Sequence, residues 1–131
     1  ARAEETDGLL APLGIDAGAP DWARGIDPVD ALVSLNVIHI APWRVAEGLA
    51  ESAASLLRAN GFVFLYGPFL DGDATAPSNL EFDASLKSRN PEWGVRPIRT
   101  VTDLFARHGL TLTERIEMPA NNLSLIFRSA A

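Results

Sequence analysis

Asn36 and His39 stand where an apolar run of the sequence turns polar, and both side chains could do chemistry. An imidazole has an unperturbed pKa of about 6.5, so His39 could act as a general base near neutral pH. The amide of Asn36 could contact a cofactor or hold a donor group against it. Each residue also has a structural interpretation, in which Asn36 bonds to loop backbone and His39 packs on an apolar strand.

Two apolar runs predict the strands that would position these side chains. Ala31–Ile40 and Phe62–Tyr66 carry few charges, which is typical of strands buried on both faces of a parallel sheet. The segment between them has Pro42 at its start and apolar residues at helical spacing, so it predicts a helix that ends at Asn60 and Gly61. Strand, helix and strand in this length indicate a parallel βαβ unit with a right-handed crossover.

Further candidate side chains follow the predicted strand ends. Ligands of open α/β sheets bind beyond the carboxyl ends of the strands, so Tyr66 would meet Asn36 and His39 at one site. The Tyr66 hydroxyl could orient a substrate there. Three large rings lie in predicted loops above the sheet, where they either line an apolar substrate pocket or plug the top of the core: Trp43, Phe69 and Trp93.

The rest of the sequence predicts two more helices and a closing pair of strands. Ser78–Ser88 opens with a capping-box pattern, and Thr100–His108 begins with residues typical of a helix N-cap. The alternating segments Leu110–Glu117 and Leu123–Arg128 predict two strands. Proline and two asparagines between these segments suit a tight connection, so we expect a hairpin.

Composition limits the classes of protein and ligand. The chain has 131 residues, 47% of them hydrophobic, which is typical of a folded domain. Its formal net charge of −6 disfavours non-specific binding to nucleic acid or to an anionic membrane. Without Cys, and with two distant His residues, the sequence has no metal-binding pattern. No run approaches the roughly 20 apolar residues of a membrane span and no signal-peptide pattern is visible, so we expect a cytoplasmic protein.

Five motifs occur in one order along the chain: Asn36-Val-Ile-His39-Ile-Ala-Pro-Trp43, Phe64-Leu-Tyr66-Gly-Pro68, Ala76-Pro-Ser78-Asn79 with Phe82-Asp83-Ala-Ser85-Leu86, Pro91-Glu-Trp93-Gly94-Val-Arg96, and Glu117-Met-Pro119-Ala-Asn121-Asn122. Together they resemble the methyltransferase-like family catalogued as domain of unknown function 938, which includes the animal methyltransferase-like protein 26. The match extends over most of Ala31–Arg128.

The resemblance implies an α/β fold with a Rossmann-like class I methyltransferase sheet, mostly parallel with an antiparallel C-terminal hairpin. It also implies S-adenosyl-L-methionine as the cofactor and methyl transfer to an unknown small-molecule substrate. Asp16, Ala17 and Asn36 would contact the cofactor, and His39 and Tyr66 would be catalytic. Five polar residues of the motifs form the implied substrate-recognition shell, unless they only cap a helix or make a turn: Asn79, Asp83, Arg96, Asn121 and Asn122.

The sequence departs from the family at its start. Family members begin with a strand and a Gly-rich loop for the cofactor, and neither occurs here. The chain opens at Ala1 and its single Met is Met118, so we expect residues 1–131 to be a partial domain, the C-terminal portion of a longer protein. Ala1–Leu10 would be the end of a surface helix, and Gly14–Gly18 a short strand and turn. Without the preceding strands, Ala31–Ile40 would form an exposed apolar edge that a missing N-terminal segment or a second copy in a homodimer covers.

Two other functions compete with methyl transfer, and a third has no motif to support it. A non-catalytic binding or scaffolding module would keep the fold without the cofactor loop. A nicotinamide-dependent oxidoreductase needs Gly-x-Gly-x-x-Gly after a first strand, and this sequence has no such motif. A Ser-His-Asp hydrolase needs a nucleophile elbow, which is absent as well. The binding module is therefore the main alternative.

Overall fold

A computed structural model of the chain describes residues 13–129. Its main elements and two short 3-10 turns follow one another along the chain: β1 Val29–Leu35, α1 Trp43–Leu56, β2 Leu57–Gly67, a turn at Gly72–Ala74, α2 Pro77–Arg89, α3 Ile98–Arg107, β3 Leu110–Met118, a turn at Pro119–Asn121, and β4 Asn122–Ser129. The predicted helix at Ala1–Leu10 lies outside the described residues. No helix among residues 13–129 is both long enough and apolar enough to cross a membrane.

The four strands form one sheet in the order β1-β2-β4-β3. β1 and β2 are parallel and are joined by α1, as the βαβ pattern predicts. β4 is antiparallel to β2 and β3 is antiparallel to β4, so the last strand of the chain lies between β2 and β3. The predicted α/β class with an antiparallel C-terminal hairpin is confirmed. In this part of the chain β1 is an edge strand.

One face of the sheet packs against α1 and α3. The apolar residues of α1 recur at helical spacing, and Leu49 and Ala53 are buried among them. From the sheet, Leu65 and Phe127 point into the same core, where the Phe127 ring stacks on Phe105 with centroids 4.6 Å apart. We call this side of the sheet the covered face.

The opposite side of the sheet is also apolar but exposed. The strand registers place Val33 beside Phe64 and Leu35 beside Tyr66 on this side. Val33 is 58% exposed and Leu35 is 55% exposed, so no described element covers them. We call this side the open face, and its apolar residues are Val33, Leu35, Phe62, Phe64, Tyr66, Ile116 and Ile126.

The predicted strand Ala31–Ile40 is wrong at its end, because β1 stops at Leu35. Asn36 adopts a left-handed conformation with a φ of 56°, which turns the chain out of the strand. The Asn36 N–H still bonds to the Tyr66 carbonyl at 2.8 Å, and residues 37–40 then form a turn. The side chain of His39 is therefore presented by a loop.

Two predicted helix boundaries are also wrong. α1 ends at Leu56 and the extended strand begins at once, although Asn60 does adopt the expected left-handed φ, at 65°. α2 has Ala76 as its N-cap with no side-chain hydrogen bond, so the predicted capping box does not form. Pro77 at the first helical position gives the helix its start instead.

α3 begins two residues before the expected Thr100, after Pro97. It ends at Arg107, next to the left-handed Gly109. The expected short strand at Gly14–Gly18 is wrong, because these residues form a coil and a turn packed on α1. The packing is so close that a Cβ on Gly48 would overlap the carbonyl oxygen of Ala17.

Candidate functional site

Asn36 and His39 come together beside the end of β2. Gly67 ends that strand, and a Cβ built on it would lie 3.4 Å from Asn36 Oδ1 and 3.5 Å from His39 Cε1. A side chain of any size at this position would therefore fill the space between the amide and the imidazole. The carboxyl ends of the parallel strands β1 and β2 thus meet at one site, as the sequence predicts.

The His39 side chain is buried, but the hydrogen-bonding capacity of its ring is unused within residues 13–129. Its ring is 5% exposed and packs edge-on against Phe82, with centroids 5.8 Å apart. Within residues 13–129 neither ring nitrogen has a hydrogen-bond partner, and neither is sealed from solvent. Burial lowers the pKa of His39 from its ordinary value of 6.5, and the positive charge of Arg96 lowers it further. The ring is therefore neutral near pH 7 and can accept a proton.

A cluster of amides joins α2 to the β3–β4 hairpin. The Nδ2 of Asn79 donates to the carbonyl of Asn121 at 3.1 Å and to the carbonyl of Phe69 at 3.4 Å. The Nδ2 of Asn121 donates to Ser78 Oγ at 3.0 Å. Two left-handed residues, Ala120 and Asn121, form the turn that brings the hairpin to the helix. These contacts use the side chains that the capping-box pattern assigned to the helix end.

Tyr66 is tied to the same cluster. The Nδ2 of Asn122 donates to the Tyr66 hydroxyl at 3.1 Å and to the carbonyl of Pro119 at 3.4 Å. Tyr66 itself is half-buried and on the open face of β2. Its contact with the site therefore runs through Asn122.

These groups surround a cavity of about 410 Å³, which we call the rim cavity. A volume of this size is within the range of small-molecule sites. Four of the sequence-predicted site residues line it, together with residues that the sequence did not single out as ligands. Phe82 could have been predicted from the sequence as a lining residue, because it follows Asn79 by three positions and so lies on the same side of α2. The lining residues are Asn36, His39, Pro68, Ser78, Asn79, Phe82, Ala120 and Asn122.

A smaller cavity of about 110 Å³ adjoins the rim cavity and shares Asn79 and Asn122 with it. Phe69 and Asn121, both predicted as substrate-binding residues, line only this smaller cavity. Its charged residues include an ion pair in which Arg115 Nη2 lies 2.6 Å from Asp71 Oδ2. The hydrogen bond that Arg115 donates to Asp71 raises the pKa of Arg115.

Arg96 and Trp43 hold the loop that carries His39. The Arg96 guanidinium donates to the carbonyls of Ile38 at 3.2 Å, Ala41 at 2.8 Å and Glu92 at 2.8 Å. It also lies over the Trp43 ring, 5.4 Å from the ring centroid. Burial lowers the pKa of Arg96, and the charge of Asp83 opposes that shift. Neither Arg96 nor Trp43 lines a cavity around His39, so both reach the site through the backbone that they position.

Asp83 and Trp93 are placed near that loop but outside the rim cavity. One Asp83 oxygen accepts the Val95 N–H at 2.9 Å, and the other lies 2.9 Å from Lys87 Nζ. Trp93 is half-buried in the segment that follows α2, where its own N–H bonds to the Asn90 carbonyl. The structure therefore gives Asp83 a backbone partner, and it places Trp93 between Glu92, whose carbonyl accepts from Arg96, and Gly94, whose N–H donates to the His39 carbonyl.

Asp16 and Ala17, the predicted cofactor contacts, lie beside the first turns of α1. Asp16 Oδ1 accepts the Gly18 N–H at 2.9 Å, and the Arg44 guanidinium is 3.5 Å from the same carboxylate. Because α1 follows the loop that carries His39, this carboxylate is at the same end of the sheet as Asn36. Within residues 13–129, no group of three or more potential metal ligands occurs.

Comparisons with known proteins give the family and the fold. A family model described as "Protein of unknown function (DUF938)" matches residues 1–129, which confirms the resemblance read from the five motifs. Among solved structures, LepI in complex with SAM superposes with a TM-score of 0.75 at 13% identity, over 95% of this chain and 31% of that one.

Two O-methyltransferase structures have similar scores. An O-methyltransferase family protein from Burkholderia thailandensis gives a TM-score of 0.72 at 17% identity, over 93% of this chain and 35% of that one. An O-methyltransferase family 2 protein from Planctomyces limnophilus, in complex with apigenin, gives 0.72 at 19%, over 86% of this chain and 33% of that one. At these identities the likeness establishes a methyltransferase-like fold. The chain spans about a third of the length of the structures that it matches.

Proposed function

Since this chain belongs to the DUF938 family, we propose that it carries the substrate-binding part of an S-adenosylmethionine-dependent methyltransferase that acts on a small molecule. The observation that carries the proposal is His39, a buried and neutral imidazole whose free nitrogens open to a cavity of about 410 Å³. A protein has little structural reason to bury an imidazole without a hydrogen-bond partner, whereas a general base needs its nitrogen free.

The residues present fit the cofactor in part. Among residues 13–129 the side-chain amide of Asn36 has no hydrogen-bond partner, and it is exposed just after the carboxyl end of β1. An amide can donate to a carboxylate or accept from an amino group. Asp16 already receives the Gly18 N–H and faces Arg44, but it is exposed and has lone pairs left for an amino group. When bound, S-adenosylmethionine supplies an electrophilic methyl group. We propose that upstream sequence, in a longer protein, provides the remaining contacts.

In this proposal His39 accepts the proton that a substrate hydroxyl or amine loses as it is methylated. Arg96 and Trp43 position His39 by holding its loop. Burial keeps the imidazole neutral, and the positive charge of Arg96 adds to that effect. Tyr66 orients Asn122, which lines the rim cavity opposite β1. Most of the rate enhancement would come from alignment of the reacting atoms, to which a correctly placed base adds about 10²–10⁴-fold.

The test uses the protein together with its upstream sequence. S-adenosylmethionine should bind in calorimetry, and the protein should transfer a labelled methyl group to one or more members of a panel of phenols and amines. His39→Gln should lower kcat by about 100-fold with cofactor affinity unchanged. His108→Gln is the matched control, because His108 follows α3 and lines neither cavity.

Two outcomes would contradict the proposal. The cofactor would be wrong if calorimetry detected no binding of S-adenosylmethionine. The role of His39 would be wrong if His39→Gln and His108→Gln had the same activity as the unaltered protein. Binding of a small molecule without any methyl transfer would instead favour the non-catalytic binding module.

A further inference from the structure

We propose that Asn79 and Asn122 select the substrate, and that they select a neutral aromatic alcohol of the phenol type. In this inference their side-chain carbonyl oxygens accept the hydrogen bonds of the bound molecule, while its ring lies against Phe82 and Pro68. The inference rests on the proposed function for the identity of the reaction. It can be tested separately, because selection is a property of binding alone.

The orientation of the Asn79 amide is fixed by its neighbours. Its nitrogen bonds to the backbone carbonyls of Phe69 and Asn121, and a carbonyl can only accept. A rotated amide would place oxygen against oxygen twice. Asn79 is 8% exposed, yet its Oδ1 has no partner within residues 13–129 and is not sealed from solvent. This oxygen therefore reaches the cavities that Asn79 lines and offers them an acceptor.

Asn122 is oriented by one carbonyl. Its nitrogen donates to the Pro119 carbonyl at 3.4 Å, and a rotated amide would place its oxygen against that carbonyl. The Tyr66 hydroxyl, which can donate or accept, is the second partner of the nitrogen, and Oδ1 is left without a protein partner in the described part of the chain. Asn122 lines both cavities, as Asn79 does. Two acceptors with fixed directions thus stand where the cavities join. A ligand without a donor would leave both oxygens without a hydrogen bond, which costs about 1–3 kcal/mol for each buried group.

The rim cavity carries no formal charge. Its polar lining consists of three amides, one hydroxyl and the neutral His39. The charged groups around it lie outside its lining: Arg96 acts on His39 while its guanidinium is bonded to three backbone carbonyls, and the smaller cavity is lined by Glu117 and by the paired Asp71 and Arg115. A carboxylate or phosphate on the ligand would lose its hydration without gaining a counter-charge, so a neutral ligand is favoured.

The apolar part of the cavity lining and the basicity of His39 narrow the class of ligand further. Phe82, Pro68 and Ala120 form an apolar wall next to the His39 ring, which suits a flat ring. A neutral imidazole is a weak base. A phenol has a pKa of about 10, as the Tyr side chain does, and so gives up its proton far more readily than an aliphatic alcohol. A phenol has a hydrogen-bond donor for the two amide oxygens, carries no charge and can give its proton to His39, so it meets all three requirements.

The experiment compares three probes of similar shape on the protein with its upstream sequence and without a methyl donor: phenol, anisole and benzoate. Phenol offers a hydrogen-bond donor, anisole offers none, and benzoate is charged. Titrations followed by NMR should show phenol binding about ten-fold or more tightly than either other probe, since one lost hydrogen bond of about 1.4 kcal/mol is ten-fold. Side-chain amide signals of Asn79 and Asn122 should shift with phenol.

Amino-acid substitutions test whether the preference for phenol over anisole depends on the amides. Asn122→Leu keeps the shape but removes the acceptor, and it should abolish the preference of phenol over anisole. Asn60→Gly is the control, because Asn60 of β2 lines neither cavity and glycine accepts its φ of 65°. If Asn122→Leu does not fold, Asn122→Asp retains an acceptor and adds a charge; it should keep phenol binding and gain binding of benzylammonium.

The inference would be overturned if anisole or benzoate bound as tightly as phenol, if no phenol bound at millimolar concentration, or if the preference persisted in Asn122→Leu. None of these results depends on S-adenosylmethionine. A protein that prefers phenol but transfers no methyl group would support this inference and contradict the proposed function. A protein that transfers methyl groups to anionic or donor-free molecules would do the reverse.

Discussion

The two faces of the sheet are made by the same strands but have different surroundings. On the covered face, Leu65, Leu125 and Phe127 are at most 2% exposed beneath α1 and α3. On the open face, Val33 and Leu35 are more than half exposed although they are no less apolar. Successive residues of a strand point to opposite faces, so a strand with apolar residues at every position is suited to burial on both.

The described fold therefore supplies only one of the two layers that β1 and β2 are suited to. A contiguous exposed apolar surface marks an interaction site, and β1 also has a free edge. We propose that a further segment of a longer protein, or a second copy of this chain, covers the open face. That proposal agrees with the chain spanning about a third of the structures that it matches.

The largest effect should come from the covered face. Phe127→Ala removes a fully buried ring stacked on Phe105 and should lower the free energy of unfolding by about 3–5 kcal/mol. Val33→Ala, on the open face, is the matched control and should change it by no more than about 0.5 kcal/mol. Urea unfolding followed by circular dichroism measures both. Equal costs would mean that the two faces are packed alike in solution.

A second prediction concerns self-association through the open face. Val33→Lys combined with Leu35→Lys should leave the free energy of unfolding of the 131-residue chain within about 1 kcal/mol of its original value. It should also reduce self-association, because two charges would have to be desolvated in any apolar contact. Sedimentation velocity over a range of concentrations measures the change.

The control for this prediction is the chain extended by its upstream sequence. If an upstream segment covers the open face, the extended protein should be monomeric without the lysines. If a second copy covers it, the extended protein should still associate and the lysines should dissociate it. An unaltered 131-residue chain that is monomeric at all concentrations would contradict both.

The smallest expected effect is on the pH dependence of stability, and it comes from His39 in the loop that follows β1. Its pKa is lowered in the folded state by burial, with Arg96 as the second cause. Between that lowered pKa and about 6.5 the unfolded chain binds more protons than the folded one, so stability rises with pH there and is fully present above about 6.5. Acidification through this window should therefore destabilise the protein.

His39→Gln tests the assignment, because glutamine does not titrate. The variant should lose part of the difference in urea midpoint between about pH 7.5 and pH 5. An unchanged difference in His39→Gln would place the pH sensitivity in another group.

The sequence predicts the parts of the fold that depend on apolar periodicity. The two parallel strands, the helix between them and the closing hairpin are all in the structure, because their buried faces repeat along the chain. It fails at Ser78 and Asn79, where a local capping pattern competes with distant partners. Asn79 bonds to the carbonyl of Asn121, 42 residues away, and no local pattern contains that contact.

The candidate site likewise has residues whose role the sequence predicts and residues whose role it does not. Strand ends place Asn36 and His39 together, and Asn79 and Asn122 join them at the rim cavity as predicted site residues. The sequence could not show that Arg96 would be used by three backbone carbonyls, because a loop arginine is equally suited to a ligand and to backbone. Whether a polar loop residue faces a cavity depends on tertiary contacts that its own type does not specify.

Gly48 shows how the chain before β1 is tied to the rest. Glycine in the middle of a helix lowers helix stability by roughly 1 kcal/mol relative to alanine. α1 nevertheless has glycine at position 48, because the carbonyl oxygen of Ala17 occupies the place of a Cβ there. Any larger residue would lift that segment, and Asp16 with it, away from Arg44. The helix and the coil that carries Asp16 therefore pack as one unit, and a transplant of this βαβ unit into another protein would have to include residues 16–18 to preserve its geometry.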